Sequence, residues 1–158
     1  MDKDFHFKEH NSTVVNKANN TLGIIRRIFR YLDSGTLLLL YKAIVRPILE
    51  YGLPAWSPIY KREADLIEAV QRRTTKLIPV LKNLSYSDRL SQLKLFTLAH
   101  RRLRGDMTFV CNYLKGQLNT NHCLFTLSEG STTRGHSLKL VKPRVETSLR
   151  QRFLRNGL

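Results

Sequence analysis

Arg72, Arg73 and Lys76 crowd together in LIEAVQRRTTKLI (66–78), and Arg62 lies four residues upstream of that segment. Side chains of this kind bind phosphate. A guanidinium offers a fork of donors, an ammonium a compact point charge, and each phosphate they neutralise releases condensed counterions. At about 100° per residue, Leu66, Ile67, Val70, Leu77 and Ile78 fall on one side of a helix running from Lys61 to Ile78. Arg62, Arg72, Arg73 and Lys76 fall on another, with Asp65 the one acid among them. Two readings fit: a solvated face flanking a core stripe, or a surface shaped to hold a polyanion.

Three further basic groups bear on that choice: Arg26, Arg27 and Arg30; Arg101, Arg102 and Arg104; and Arg134, Lys139, Lys142 and Arg144. The 158 residues carry 27 Lys and Arg against 12 Asp and Glu, a formal charge of +15, and acids that could neutralise these groups are sparse. At 42% hydrophobic the chain is nonetheless composed to fold around a core. A foldable chain with this imbalance favours nucleic acid as its partner. Tyr31, Tyr41, Tyr51 and Trp56 read as core or hinge residues and not as a stacking platform, which favours duplex backbone contact over base reading.

Other chemistry is weakly represented. His100, Cys111, His122 and Cys123 offer two imidazoles and two thiols, but their spacing fits no familiar zinc site, and Cys111 reads as a buried small hydrophobe on a helix. His6 and His10 can share a helical face with nothing nearby to complete a site, and Asp2 and Asp4 stand at an exposed terminus. No two acidic residues are adjacent and no Gly-rich phosphate loop is present, so the residues assign no catalytic group, no metal and no cofactor to this chain. The apolar run Leu37–Tyr41 ends at Lys42, far short of the ~20 residues a membrane span requires. The start MDKDFHFKEH is not a secretory signal, and two cysteines suit a reducing compartment, nucleus or cytoplasm.

The elements that must position these groups are mainly helical. Asn11 or Ser12 can cap a first helix with Val14, Ala18, Leu22, Ile25, Phe29 and Leu32 on its apolar stripe, and Gly23 is expected at a close helix crossing. Ser34 can cap a second, through Leu37, Leu40, Tyr41, Ile44, Ile48 and Tyr51, that Pro47 is expected to kink; its near all-round apolarity makes it central. GLPAWSPIY (52–60) reads as an extended link. After the third helix, a short one begins at Ser85 and a longer one spans Leu98–Lys115, with Leu103, Met107, Val110 and Leu114 toward the core and Arg101 and Arg104 away from it. Beyond Gly116 the texture becomes polar and irregular, with alternation at 137–142 expected to form a short strand and an amphipathic turn near Phe153. The expectation is a mainly α fold of about five helices over 1–116, and a basic β or irregular tail over 117–158.

Five segments in order, KANNTLGIIRRIF (17–29), LYKAIVRPILEYGLPAWSP (40–58), LIEAVQRRTTKLI (66–78), LSYSDRLSQLKLFTLAHRRLRGDM (84–107) and TTRGHSLKLVKPR (132–144), resemble the post-palm, thumb-like region of reverse transcriptases from non-long-terminal-repeat, LINE-type retrotransposons. The resemblance implies a helical module that grips template and primer while a separate palm, bearing an aromatic-x-Asp-Asp motif and its Mg, copies element RNA. By motif, Arg72, Arg73 and Lys76 correspond to a QRR-x-T-K-L-I helix, Arg101, Arg102 and Arg104 to R-R-x-R-G-D, and Arg134, Gly135 and His136 to T-R-G-H. The palm signature would lie before Met1 and related chains continue past RFLRNGL, so the resemblance implies a truncated copy or a partial gene model. Its implied partners are RNA/DNA hybrid, duplex DNA, element RNA and the absent palm. A host-retained helical protein that binds nucleic acid in a regulatory or packaging role is the alternative.

Overall fold

A computed structural model describes residues 7–29, 33–58, 60–118, 125–127 and 139–141. Arg30, Tyr31, Leu32, His122, Cys123, Arg134, Lys142, Arg144 and the segment near Phe153 lie outside them. The described chain is mainly α-helical. In order it forms α1 (Lys8–Ile28), α2 (Ser34–Leu40), a π-helical turn (Tyr41–Val45), α3 (Arg46–Glu50), a single turn α4 (Leu53–Trp56), α5 (Lys61–Lys76), a 3₁₀ turn (Pro79–Leu81), α6 (Tyr86–Gln92) and α7 (Leu98–Leu114). It divides into two compact units, Met1–Arg102 and Leu103–Leu158, with the boundary inside α7.

In the first unit, α1 packs on α5 and on α3, and α5 also contacts α6 and the 3₁₀ turn. Ala18, Ile25, Tyr41, Val45, Leu49, Trp56, Ile67, Val70 and Leu98 form the main core, while Leu37, Ile78 and Leu81 form a second cluster. The buried residues of the α2–α3 rod recur every fourth position, Leu37, Tyr41, Val45 and Leu49. On an uninterrupted α-helix that spacing would drift by about 40° per step. The π-helical turn adds a residue to the turn and keeps the four in line. It sits immediately before Pro47, which has no N–H to give the ladder, and the Arg46 N–H bonds back to the Tyr41 carbonyl. The same turn rotates Ile44 and Tyr51 outward, so they are exposed, Tyr51 at 85%, although their spacing had placed them on the inner stripe.

Two helix starts differ from expectation, one through a distant contact and one through a neighbouring residue. α1 begins at Lys8 after Phe7 in a left-handed conformation, and Asn11 is no cap: it is buried within the helix, where its amide Nδ2 donates to Glu63 Oε2 at 3.1 Å. Asp33 and not Ser34 caps α2, accepting from the Gly35 and Thr36 amides at 3.0 and 3.1 Å. Hydrogen bonds from Thr36, side chain first and then amide, hold the Asp33 carboxyl below its ordinary value. Ser85 caps α6 as expected, its hydroxyl accepting from the Asp88 amide and donating to the Asp88 carboxylate. The link after α3 is not extended. Gly52, at φ +67°, turns the chain into α4, and the Trp56 indole N–H reaches back to the Tyr51 carbonyl at 2.6 Å. That bond brings Trp56 into the core.

Gly23 marks no helix crossing, because a Cβ built there would meet nothing within 4 Å. Gly23→Ala is therefore expected to raise stability by about 0.5–1 kcal/mol, the helix-interior difference between the two residues. A Cβ at Gly52 would instead lie 3.3 Å from the Trp56 indole nitrogen, on a left-handed backbone. Gly52→Ala should lower the denaturation midpoint, and the opposite order in paired urea melts would contradict these placements.

α7 is oriented by Leu98, which is buried in the first unit. Arg101 and Arg102 fall within about 60° of Leu98 around the helix, whereas Leu103 and Met107 fall about 140–180° from it. Leu103 and Met107 are accordingly exposed, contrary to the stripe reading, while Val110 is buried. Cys111 is an exposed free thiol and not a buried hydrophobe. Within the second unit Tyr113 meets Phe125 edge to face at 5.3 Å between centroids. Leu140 forms an isolated antiparallel bridge with Leu127, and the Val141 N–H donates to the Thr126 carbonyl at 2.8 Å; the rest of the 137–142 alternation lies outside the described residues.

Candidate nucleic-acid interface

The inner face of α5 is mostly polar. Besides Ile67 and Val70 it buries Glu63, Glu68, Gln71, Thr74 and Thr75. Leu66, assigned to that face by its hydrophobicity, is 44% exposed, because the buried arc is centred between Ile67 and Gln71 and leaves Leu66 outside its edge.

Gln71, fully buried, joins three elements. Its Oε1 accepts from the Tyr41 hydroxyl at 2.6 Å, and its Nε2 donates to the Tyr86 hydroxyl and to the Phe96 carbonyl, each at 3.0 Å. The Tyr86 hydroxyl in turn donates to Glu68 Oε1, and Glu68 Oε2 accepts from the Leu98 N–H at 2.9 Å. The Glu68 carboxylate thus caps α7 from a distance, where the positive end of the helix dipole stabilises it. Burial, reinforced by the bond to Glu68, pushes the Tyr86 phenol far above its ordinary value; burial, then the nearby Tyr86 and Glu50, does the same to Tyr41. Both phenols remain protonated donors throughout the working pH range.

This polar core sets the outer surface. Arg62, Arg72, Arg73 and Lys76 are all exposed along α5. The Arg72 guanidinium lies 5.0 Å from the centroid of the Tyr86 ring, within cation–π range, and Arg89, itself buried, approaches the same ring at 5.7 Å. Arg73 donates to the side-chain oxygen of Asn19 on α1. The two neighbouring arginines therefore reach to opposite sides, one over α6 and one over α1.

Two cross-pairs, Asn11 with Glu63 and Asn19 with Arg73, ascend together, so α1 and α5 run side by side in the same direction. Arg26 lies about two turns beyond Asn19 and Lys76 about one turn beyond Arg73. Arg26, Arg27, Arg73 and Lys76 consequently gather at the same end of the pair, in the last turns of α1 and α5. Cations there also offset the negative ends of the helix dipoles, which by itself accounts for part of the clustering. Arg62 stands apart at the start of α5, with exposed Asp65 between it and Arg72.

The third group is not a phosphate surface as a whole. Arg101 is bound by Glu50 through two contacts, Nε to Oε1 and Nη2 to Oε2, the latter at 2.9 Å, and this carboxylate raises the Arg101 pKa. Arg46 shares Glu50 at 3.8 Å. Glu50, unused in the sequence argument, claims Arg101 because Leu98 turns that side of α7 inward. Arg102 is half-buried, and Arg104 is exposed in the second unit. Lys139 is half-buried beside the Leu127–Leu140 bridge. Among the described residues no three of His, Cys, Asp and Glu gather as metal ligands, and no helix is long and apolar enough to cross a membrane.

Asn19, Glu68, Gln71, Tyr86 and Phe96 are the residues that sequence reasoning passed over. Gln71 was detectable, since it lies about 20° beyond Ile78 around the helix, but a purely apolar template discards it. An uncharacterized protein of Caenorhabditis elegans is 30% identical over 121 residues, covering 74% of this chain and 61% of the relative. The chain thus spans about three fifths of that protein's length. It matches no protein-family model and no solved structure.

Proposed function

We propose that the chain is the thumb-like, noncatalytic part of a retrotransposon RNA-directed DNA polymerase, and that it grips template-primer duplex through the sugar-phosphate backbone. The observation that carries this reading is the pair Arg72 and Arg73. Both are exposed, yet each is held by a neighbour, Tyr86 and Asn19, so the guanidinium groups lose less freedom when they meet phosphate. The +15 charge and the ordered run of family-like segments support it. Binding serves RNA/DNA hybrid, duplex DNA or element RNA; nucleotidyl transfer requires a palm, with its Mg, on another polypeptide segment. This chain's own part is to hold the duplex, with Arg26, Arg27 and Lys76 extending the same basic end.

The test is equilibrium binding to matched RNA/DNA hybrid, duplex DNA and single-stranded RNA, each over a salt series. The triple variant Arg72→Ala, Arg73→Ala, Lys76→Ala is expected to bind all sequences more weakly. On duplex DNA it should flatten the salt dependence by about 0.9 for each phosphate that the variant no longer neutralises. Unchanged slopes in a folded triple variant would reject the grip.

A further inference from the structure

An exposed aromatic pair shares a buried support with Tyr86, the ring beneath Arg72. Phe96 and His100 stack with ring centroids 5.0 Å apart and planes 25° from parallel, and Phe96 remains 55% exposed. A large aromatic ring in solvent is ordinary when its backbone is free to move. Here the backbone is anchored from beneath: the Phe96 carbonyl accepts from buried Gln71, and the Leu98 N–H is tied to buried Glu68. The same two side chains hold the Tyr86 hydroxyl, and the Tyr86 ring lies under Arg72. One polar core therefore supports both an exposed ring and the ring beneath an exposed guanidinium, and exposed Lys94 adds a further cation two residues before Phe96 in the chain.

We infer that the Phe96–His100 pair is a stacking platform for an unpaired nucleobase at the end of the duplex that the basic face holds. This rests on the backbone-grip reading and adds a ligand feature to it: a strand end or single-stranded extension beside the duplex. The occupant is set by charge and shape. A flat ring that shares its support with the ring beneath Arg72, on a segment carrying Lys94, suits a base whose own phosphate is met by one of those cations, and stacking accepts any base because each has a π face. An apolar protein segment would leave those cations without counter-charge. The spacing that reveals the pair is aromatic and imidazole four residues apart at the entrance of α7, with an acid and an amide beneath it on α5.

The experiment compares a blunt RNA/DNA hybrid with the same hybrid bearing a short single-stranded extension, which carries 2-aminopurine as its first unpaired base. Wild-type protein should favour the extended hybrid by at least about fivefold and quench the 2-aminopurine fluorescence. Phe96→Ala, at an exposed position, should remove both the preference and the quenching while binding the blunt hybrid as wild type does; Phe96→Trp should retain both. Preference and quenching that survive in Phe96→Ala, or a wild type that treats the two hybrids alike, overturn the platform and leave the grip standing. Salt-sensitive loss of blunt-hybrid binding in the Arg72, Arg73, Lys76 triple variant reads the grip separately, and absence of blunt-hybrid binding in wild type rejects both.

Discussion

Val70→Asp unfolds the first unit. Val70 is 0% exposed and packs in one cluster with Tyr41, Val45, Ile67 and Leu98. A carboxylate there has no cation within the cluster. Leaving it charged costs about 3–5 kcal/mol, and protonating it still forfeits the transfer free energy of a buried Val, roughly 1.5–3 kcal/mol, and strands a polar group. Either route removes much of the stability of a domain held by about 5–15 kcal/mol. Leu66→Asp is the matched control, the same substitution on the same helix but at a 44% exposed residue. It should shift stability by about 1 kcal/mol or less. The single tryptophan, Trp56, belongs to the same core cluster as Val70, so its fluorescence in a urea titration reports the relevant unit directly. Equal loss in the two variants would mean that the buried face of α5 is misassigned.

The contrast between Val70 and Leu66 shows where the sequence was legible. Helix boundaries on α5 and α6 follow from signals carried by nearby residues: Pro79 after α5, and Ser85 and Asp88 at α6. The direction of each helix about its own axis does not, because it depends on polar contacts between distant segments. Asn11 is a good cap by type, yet Glu63 on α5 draws it into the interior. Arg101 is a good phosphate ligand by type, yet Glu50 captures it. Hydrophobic periodicity centred the α5 core face too near Leu66 because Glu63, Gln71 and Thr74, which it counts as polar, are buried there by hydrogen bonding. The basic stripe of Arg62, Arg72, Arg73 and Lys76 was legible, since four cations with a single acid, Asp65, among them stay on the surface. Its supports, Tyr86 and Asn19, were not, because each comes from another helix.

Gln71→Leu tests the buried polar core beneath that stripe. The substitution keeps most of the volume and removes three hydrogen bonds. Tyr41, 1% exposed, would hold a buried hydroxyl donor without its acceptor, and the Phe96 carbonyl would lose its side-chain donor. Each orphaned group costs about 1–3 kcal/mol, so a loss of roughly 2–6 kcal/mol is expected. Removing both ends of the strongest bond should recover part of it. Tyr41→Phe combined with Gln71→Leu should cost less than the two single changes added together, with a coupling of about 1 kcal/mol. Additive losses would show that the Tyr41–Gln71 bond does not join α5 to the α2–α3 rod. Because the Tyr86 hydroxyl keeps its bond to Glu68, its ring should stay beneath Arg72 in the Gln71→Leu protein. Below its lowered melting temperature that variant is therefore expected to bind blunt hybrid as wild type does, while the Arg72, Arg73, Lys76 triple variant keeps its stability and loses binding. The two losses belong to opposite faces of one helix, a buried amide that holds α5 in place and an exposed pair of arginines that uses that placement.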